Sequence, residues 1–296
     1  YGDHRDLHRL IRRQRQMCIR DRVKDMSSYI DQMVYYVKKV VGYTIIAKSE
    51  GIRADEEESF TGRALPTEYH FLKDIPIDNV NKGIGGGFFR VFKLPSDRIA
   101  ISHVIYKGTD EYGRAVMNAH ALVMAEDLYI SLSANPYAFV NLFTHPIEET
   151  TLPRLSYEET KRQLKVLSPP TKLQNEHCII VDLFLQIASG KENKVLLVLP
   201  NNIPHDKYIE EAFQLIPEDI RASIMLYSFS SDPDVEHGFN FIIVPKKLEI
   251  TAAFVEKAKI ARMDDREYKW SFEYPKKLKI IDSYNALSDF INNYLK

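Results

Sequence analysis

Apolar positions fall into two regimes along the chain. From about Met26 to Phe143 they come in short runs rich in β-branched and aromatic residues, the pattern of strands. QMVYYVK and YTIIAKS are two such runs, separated by VVG. FFRVFKL (Phe88 to Leu94) and RIAISHVIY (Arg98 to Tyr106) flank Pro95-Ser96-Asp97 and are expected to form a hairpin. AHALVMA and LYISL predict a second hairpin around Glu126-Asp127. A short helix is expected after Asn135-Pro136, with Asn135 as its cap.

The second regime alternates helix and strand. A charged helix over SYEETKRQLKVL leads to Ser168-Pro169-Pro170, where the paired prolines disfavour helix and mark a boundary. A nearly all-apolar helix over about 173–189 stops at Gly190. KVLLVLP is continuous in the way of a strand buried on both faces. HDKYIEEAFQLI puts Tyr208, Ile209, Ala212, Phe213 and Ile216 on one helical stripe. ASIMLYSFS and FNFIIVP read as strands, TAAFVEKAKIA as a helix, and Leu287, Phe290, Ile291, Tyr294 and Leu295 as the stripe of a last helix. The expected fold class is α+β: a β-rich N-terminal domain over 26–150, a linker with a helix over 151–171, and a smaller α/β domain over 172–296. A length of 296 residues fits two domains.

Composition changes this picture at one end only. Residues 1–22 carry seven arginines and no lysine against three aspartates, a net of +4, so the remainder of the chain carries −5. The remainder has ten arginines among 33 basic residues; seven arginines in seven at that usage has a probability of about two in ten thousand, a departure from background composition. MCIRDR resembles translated sequencing-adaptor remnants found at the ends of metagenomic reading frames, and Tyr1 stands where Met would. Residues 1–25 are therefore expected to be a non-native or disordered basic tail, with a native start near Met26. A nucleic-acid partner is expected only if that tail is native. The longest apolar run, CIIVDLFLQIA, is shorter than the ~20 residues that cross a bilayer and contains Asp182, so no membrane partner is expected. Cys18 and Cys178 are too few for a disulfide framework and suit a cytoplasmic protein.

Candidate chemistry is sparse. Gly83-Ile84-Gly85-Gly86-Gly87 runs into a strand with no Lys-Ser/Thr, so it is expected to be a flexible or tight turn rather than a phosphate loop. His70, His103, His120, His145, His177, His205 and His237 are dispersed, with no metal-ligand spacing, and read as partly buried polar side chains. No serine or cysteine nucleophile motif is present. Asp55-Glu56-Glu57-Glu58 reads as a solvated acidic loop. The stretch Tyr106 to Met124 stands out: its loop holds Asp110, Glu111, Gly113 and Arg114, and it re-enters the sheet near His120. Arg114 offers a planar fork of donors to a partner's carboxylate or phosphate, or it pairs with Asp110 to fix the loop.

Several segments together resemble the GTPase-associated proteins of prokaryotic conflict and signalling systems. Gly42-Tyr43, Ser49-Glu50-Gly51, Asp110 to Arg114, and His120 match that family's N-terminal module. Ile216-Pro217, Arg221, Ser228-Phe229-Ser230 and Asp232-Pro233 match its middle module. The loop departs in reading Gly-Arg-Ala-Val-Met-Asn where the family tends to Gly-Arg-Pro-Gly-Asn. The resemblance implies a non-enzymatic adaptor that works with a GTPase or other protein partner, without cofactor or metal. Asp110, Gly113, Arg114, His120 and Arg221 are the implied binding residues, and no catalytic residue is assigned. The alternative is an enzyme or binding protein acting on a phosphorylated or nucleotide ligand through Asp110, Arg114 and His120.

Overall fold

The computed structural model describes residues 29–38, 42–63, 65, 83–112, 114–148, 150–201, 206–228, 238–246, 258–269 and 271. In the first half, β1 (Tyr29–Lys38), β2 (Gly42–Lys48), β3 (Phe88–Lys93), β4 (Ile99–Thr109) and β5 (Ala115–Met124) form an antiparallel array in the order β3-β4-β5-β1-β2. The β3–β4 hairpin turns at Pro95–Asp97 as expected, pairing Phe88 with Val104 and Lys93 with Ile99. The helix α1 (Ala54–Thr61) follows β2.

The second expected hairpin is not formed. Glu126–Leu132 is a helix, α2, which buries Leu128, Tyr129 and Leu132 on one face. That i, i+1, i+4 spacing and two acids in the first turn favour helix over strand. Pro136–Leu142 is a 3₁₀-helix, and the Asn135 side chain accepts the Tyr137 N–H, as its position predicts. The acidic run is corrected too: Asp55 to Glu58 lie in α1 rather than in a loop, and Glu56 is fully buried.

Short strands β6 (Thr150–Thr151) and β7 (Leu155–Ser156) lead to α3 (Tyr157–Gln163). The α/β half then runs through α4 (Asn175–Ala188), β8 (Val195–Val198), α5 (Asp206–Gln214), α6 (Glu218–Ser223), β9 (Leu226–Tyr227), β10 (Phe241–Val244) and β11 (Lys259–Arg262). β8 lies between β10 and β11, parallel to both, and all four of its residues are buried. Each such side chain contributes roughly 1.5–3 kcal/mol. Within ASIMLYSFS the described ladder covers Leu226–Tyr227, starting late because α6 runs on to Ser223, and Phe229 and Ser230 lie outside the described residues. Lys259–Arg262 is a strand rather than the end of a helix. Residues 251–257, the final stripe from Leu287 and the basic tail lie outside the described residues.

Among the described residues the two halves share one eleven-stranded sheet, in the order β11-β8-β10-β9-β3-β4-β5-β1-β2-β6, with β7 on β1. Pro169-Pro170 separates the halves in sequence, but the sheet and the main hydrophobic cluster run through both. Among the described residues the junction is a single antiparallel residue pair, Arg90 with Tyr227. Arg90 is fully buried, its guanidinium 3.9 Å from the centre of the Tyr227 ring, and it donates to the Tyr227 hydroxyl and the Arg63 carbonyl. Ser228 adds two bonds: its N–H donates to Phe89 O at 2.9 Å and its Oγ accepts the Phe89 N–H at 2.7 Å.

Candidate functional site

The family-like residues of the N-terminal half separate into a scaffold and an exposed tip. In the scaffold, Ser49 Oγ accepts the Gln32 N–H at 2.9 Å and donates to the Pro153 carbonyl at 3.1 Å. Gly51 passes so close to Asp31 that a Cβ would stand 2.4 Å from its Oδ1. Asp31 is nearly inaccessible and pairs with Arg98 and, at 2.9 Å, with Arg154; Arg98 also reaches buried Glu56 at 3.3 Å. The Tyr43 hydroxyl donates to Ala115 O at 3.0 Å and accepts the Met117 N–H at 2.8 Å, which ties β2 to β5. The acidic run thus hides a core ion pair, and the Ser-x-Gly turn leaves room for it.

The tip is the end of the β4–β5 hairpin. Asp110 Oδ1 accepts the N–H groups of Arg114 (2.8 Å) and Tyr112 (3.0 Å), and its Oδ2 takes the Arg114 Nε–H at 2.7 Å. The Arg114 backbone N–H leads the bonds that hold the Asp110 carboxyl below its usual range. Arg114 keeps 70% of its side chain exposed, with its guanidinium 5.0 Å from the ring centre of Tyr112, itself 73% exposed. Gly113 lies outside the described residues.

His120 is not part of this tip. It sits in β5 six residues from Arg114, roughly 20 Å away at about 3.3 Å per residue, and is fully buried. That separation rules out hydrogen-bonded cooperation among Asp110, Arg114 and His120 in one cleft. Arg221 is elsewhere again: buried in α6, it donates through Nε to Ile216 O at 2.8 Å and through a terminal nitrogen to Ser133 O at 3.0 Å, bracing the turn after α2.

What the dispersed spacing of the histidines conceals is that three of them meet. β4 and β5 place His103 opposite His120, and the segment after the 3₁₀-helix lays His145 beside both. His103 Nδ1 is 2.8 Å from His145 Nε2, and His145 Nδ1 is 3.2 Å from Asn118 Oδ1. His120 accepts the Thr144 N–H at Nδ1 (3.1 Å) and meets Gln32 Oε1 through Nε2 (3.1 Å). Gln32 donates its amide to Pro153 O, so its oxygen must accept and His120 is held as the neutral Nε2–H tautomer. Burial pushes His120 down to about 3, aided by His103.

The glycine loop threads between this cluster and the α/β half. Ile84 O lies 3.3 Å from His103 Nε2, and the Ile84 N–H donates to Asp206 Oδ2 at 3.2 Å. Asp206, fully enclosed at the start of α5, also accepts the Tyr137 O–H at 3.1 Å. Burial pushes its carboxyl up to about 7, against the pull of those two donors. A Cβ on Gly83 would lie 2.5 Å from Asp206 Oδ2, and one on Gly87 2.8 Å from His103 Nε2 and 2.2 Å from the Val104 carbonyl. The loop is a tight turn into β3, as its context predicts, and its glycines admit these two polar groups. Among the described residues, no group of His, Cys, Asp and Glu is arranged to hold a metal ion, and no helix is long and apolar enough to cross a membrane.

The fold and this arrangement define an α+β protein with an ordered, exposed Tyr–Arg hairpin tip and a buried polar network at the seam of its sheet. No family model and no curated protein matches the chain in sequence comparison.

Proposed function

We propose that this protein is a non-enzymatic adaptor or regulatory protein that binds a GTPase in a prokaryotic signalling or conflict system, in the cytoplasm. The observation that carries this reading is the β4–β5 tip, where Asp110 fixes the loop and leaves Tyr112 and Arg114 projecting side by side. Tyrosine and arginine are over-represented among the residues that dominate protein interfaces, and prior ordering lowers the entropic cost of docking. The resemblance of Gly42-Tyr43, Ser49 to Gly51 and Asp110 to Arg114 to the GTPase-associated family supplies the identity of the partner. Arg114 is proposed as an anchor and not as an arginine finger. The separation of Arg114 from His120 favours this reading over an alternative that needs Asp110, Arg114 and His120 in one cleft.

The test is calorimetric titration of the full chain with a purified GTPase taken from its own gene neighbourhood, loaded with GDP or with a non-hydrolysable GTP analogue, and a neighbourhood without a GTPase counts against the reading. Binding in at least one state, weakened about tenfold or more by Y112A and by R114A, is expected. Binding in neither state overturns the reading; binding that both variants leave intact moves the interface away from the tip.

A further inference from the structure

The contacts running from Ile84 through His103 and His145 to Asn118 can be counted hydrogen by hydrogen. Ile84 O only accepts, so His103 Nε2, 3.3 Å away, must carry a hydrogen. The 2.8 Å contact between His103 Nδ1 and His145 Nε2 takes one hydrogen. At the far end, His145 Nδ1 faces Asn118 Oδ1 at 3.2 Å. That amide cannot be turned over, because its Nδ2 donates to the carbonyls of His145 (3.3 Å) and Pro146 (2.9 Å). His145 Nδ1 therefore needs a hydrogen as well. Three hydrogens are required, and two neutral imidazoles carry two.

We infer that His103 and His145 form a binding site for one additional proton, shared between the two rings as an imidazole–imidazolium pair, with the Asp206 carboxylate beyond Ile84 as its counter-charge. Both Asp206 oxygens accept hydrogen bonds, from Ile84 N–H and Tyr137 O–H, and with its carboxyl pushed up to about 7 by burial Asp206 supplies the counter-charge as the pH rises toward and past that value. Burial opposes the proton, pushing His103 down to about 4 and His145 to about 2, and Lys107 and the neighbouring rings add to the push on His145. His120, the other titratable group against the pair, is held neutral by Thr144 and Gln32, and the flanking rings of Phe89 and Phe143 carry no charge. Removing the proton leaves one of the three contacts lone pair to lone pair: Ile84 O with His103 Nε2, His103 Nδ1 with His145 Nε2, or His145 Nδ1 with Asn118 Oδ1. His145 is only partly buried, so the proton can exchange with solvent. Its loss at the Ile84 end would free one side of the glycine loop at the seam between the two halves.

The test is nitrogen NMR of the full chain labelled with ¹⁵N-histidine, titrated from pH 5 to pH 8. Rings are assigned by proton contacts to Phe89 and Asn118, so that neither histidine is replaced. The expected result at the acid end is three protonated ring nitrogens in the pair, with a single loss on raising the pH. His120 is the internal reference, with one protonated and one bare nitrogen throughout. In D206N the loss should move about one pH unit lower, because the counter-charge is gone. Two bare nitrogens across the whole range overturn the site, and an unmoved titration in D206N overturns the role of Asp206.

Discussion

Gly87 and Gly86 adjoin in sequence yet should respond differently to alanine. Gly87 is extended (φ −160°), so backbone strain is not the issue; space is. Its added Cβ would lie 2.2 Å from the Val104 carbonyl oxygen. Close carbon–oxygen contacts settle near 3.3 Å, so the loop and the first residue of β3 would have to move by about 1 Å. That residue, Phe88, pairs with Val104 and is fully buried, so the move disturbs the ladder as well as the packing. Overpacking of this kind costs about 1–3 kcal/mol, and a lost ladder bond adds about 1, for a total near 3 kcal/mol. Gly86 has φ +78° and nothing within 4 Å of its added Cβ, so G86A carries only the left-handed cost of about 1–2 kcal/mol. Urea denaturation of the two variants beside the parent measures both. A cost for G86A equal to or above that for G87A would refute the account of why the loop is built of glycine.

Three further outcomes follow from the same contacts. D31N, which neutralises the buried acid between the part-exposed Arg98 and Arg154, should cost about 1.5–3 kcal/mol in denaturant unfolding, and a cost below 1 would place these contacts among ordinary surface pairs. S228A leaves the buried Phe89 N–H without its acceptor and should cost about 1–3 kcal/mol, with faster amide exchange at Phe89; unchanged exchange there would show that the hydroxyl does not close the seam. His120 has a folded pKa of about 3 against about 6.5 unfolded, so the unfolded chain binds the extra proton between those values; its share of stability is intact above about pH 6.5 and falls by about 1.4 kcal/mol per unit as the pH drops below it. H120Q should therefore lose less stability than the parent between pH 6.5 and pH 4, and parallel curves would count against a buried neutral His120.

Period and turn chemistry made most elements legible: the β3–β4 hairpin, the Asn135 cap, the apolar helix ending before Gly190 and the fully buried strand Val195–Val198 all lie where the pattern puts them. LYISL misled because its five residues satisfy both periods, and tertiary burial of Leu128, Tyr129 and Leu132 decided between them. Glu56 misled because three acidic neighbours disguise the one that turns inward, a fact that depends on Arg98, 42 residues away. The histidine cluster was illegible for a related reason. His103 and His120 are brought opposite by register and His145 by a loop crossing, and spacing in sequence carries neither. The Asp110–Arg114 pair, by contrast, could be seen in advance because both partners sit in the same turn.

The narrow contact between β3 and β9 has a mechanical consequence. Within the antiparallel half, β4 and β5 are joined over ten residue pairs, and β8 and β10 in the parallel half over four, whereas among the described residues β3 and β9 are joined over one. Tension applied across the strands would meet its weakest resistance at Arg90 and Tyr227, with Ser228 as the last stitch. Pulled from its two flanks, the sheet would open along that line before its longer ladders, leaving the bonds of Asp206 to Ile84 and Tyr137 and of Arg221 to Ser133 to hold the halves together.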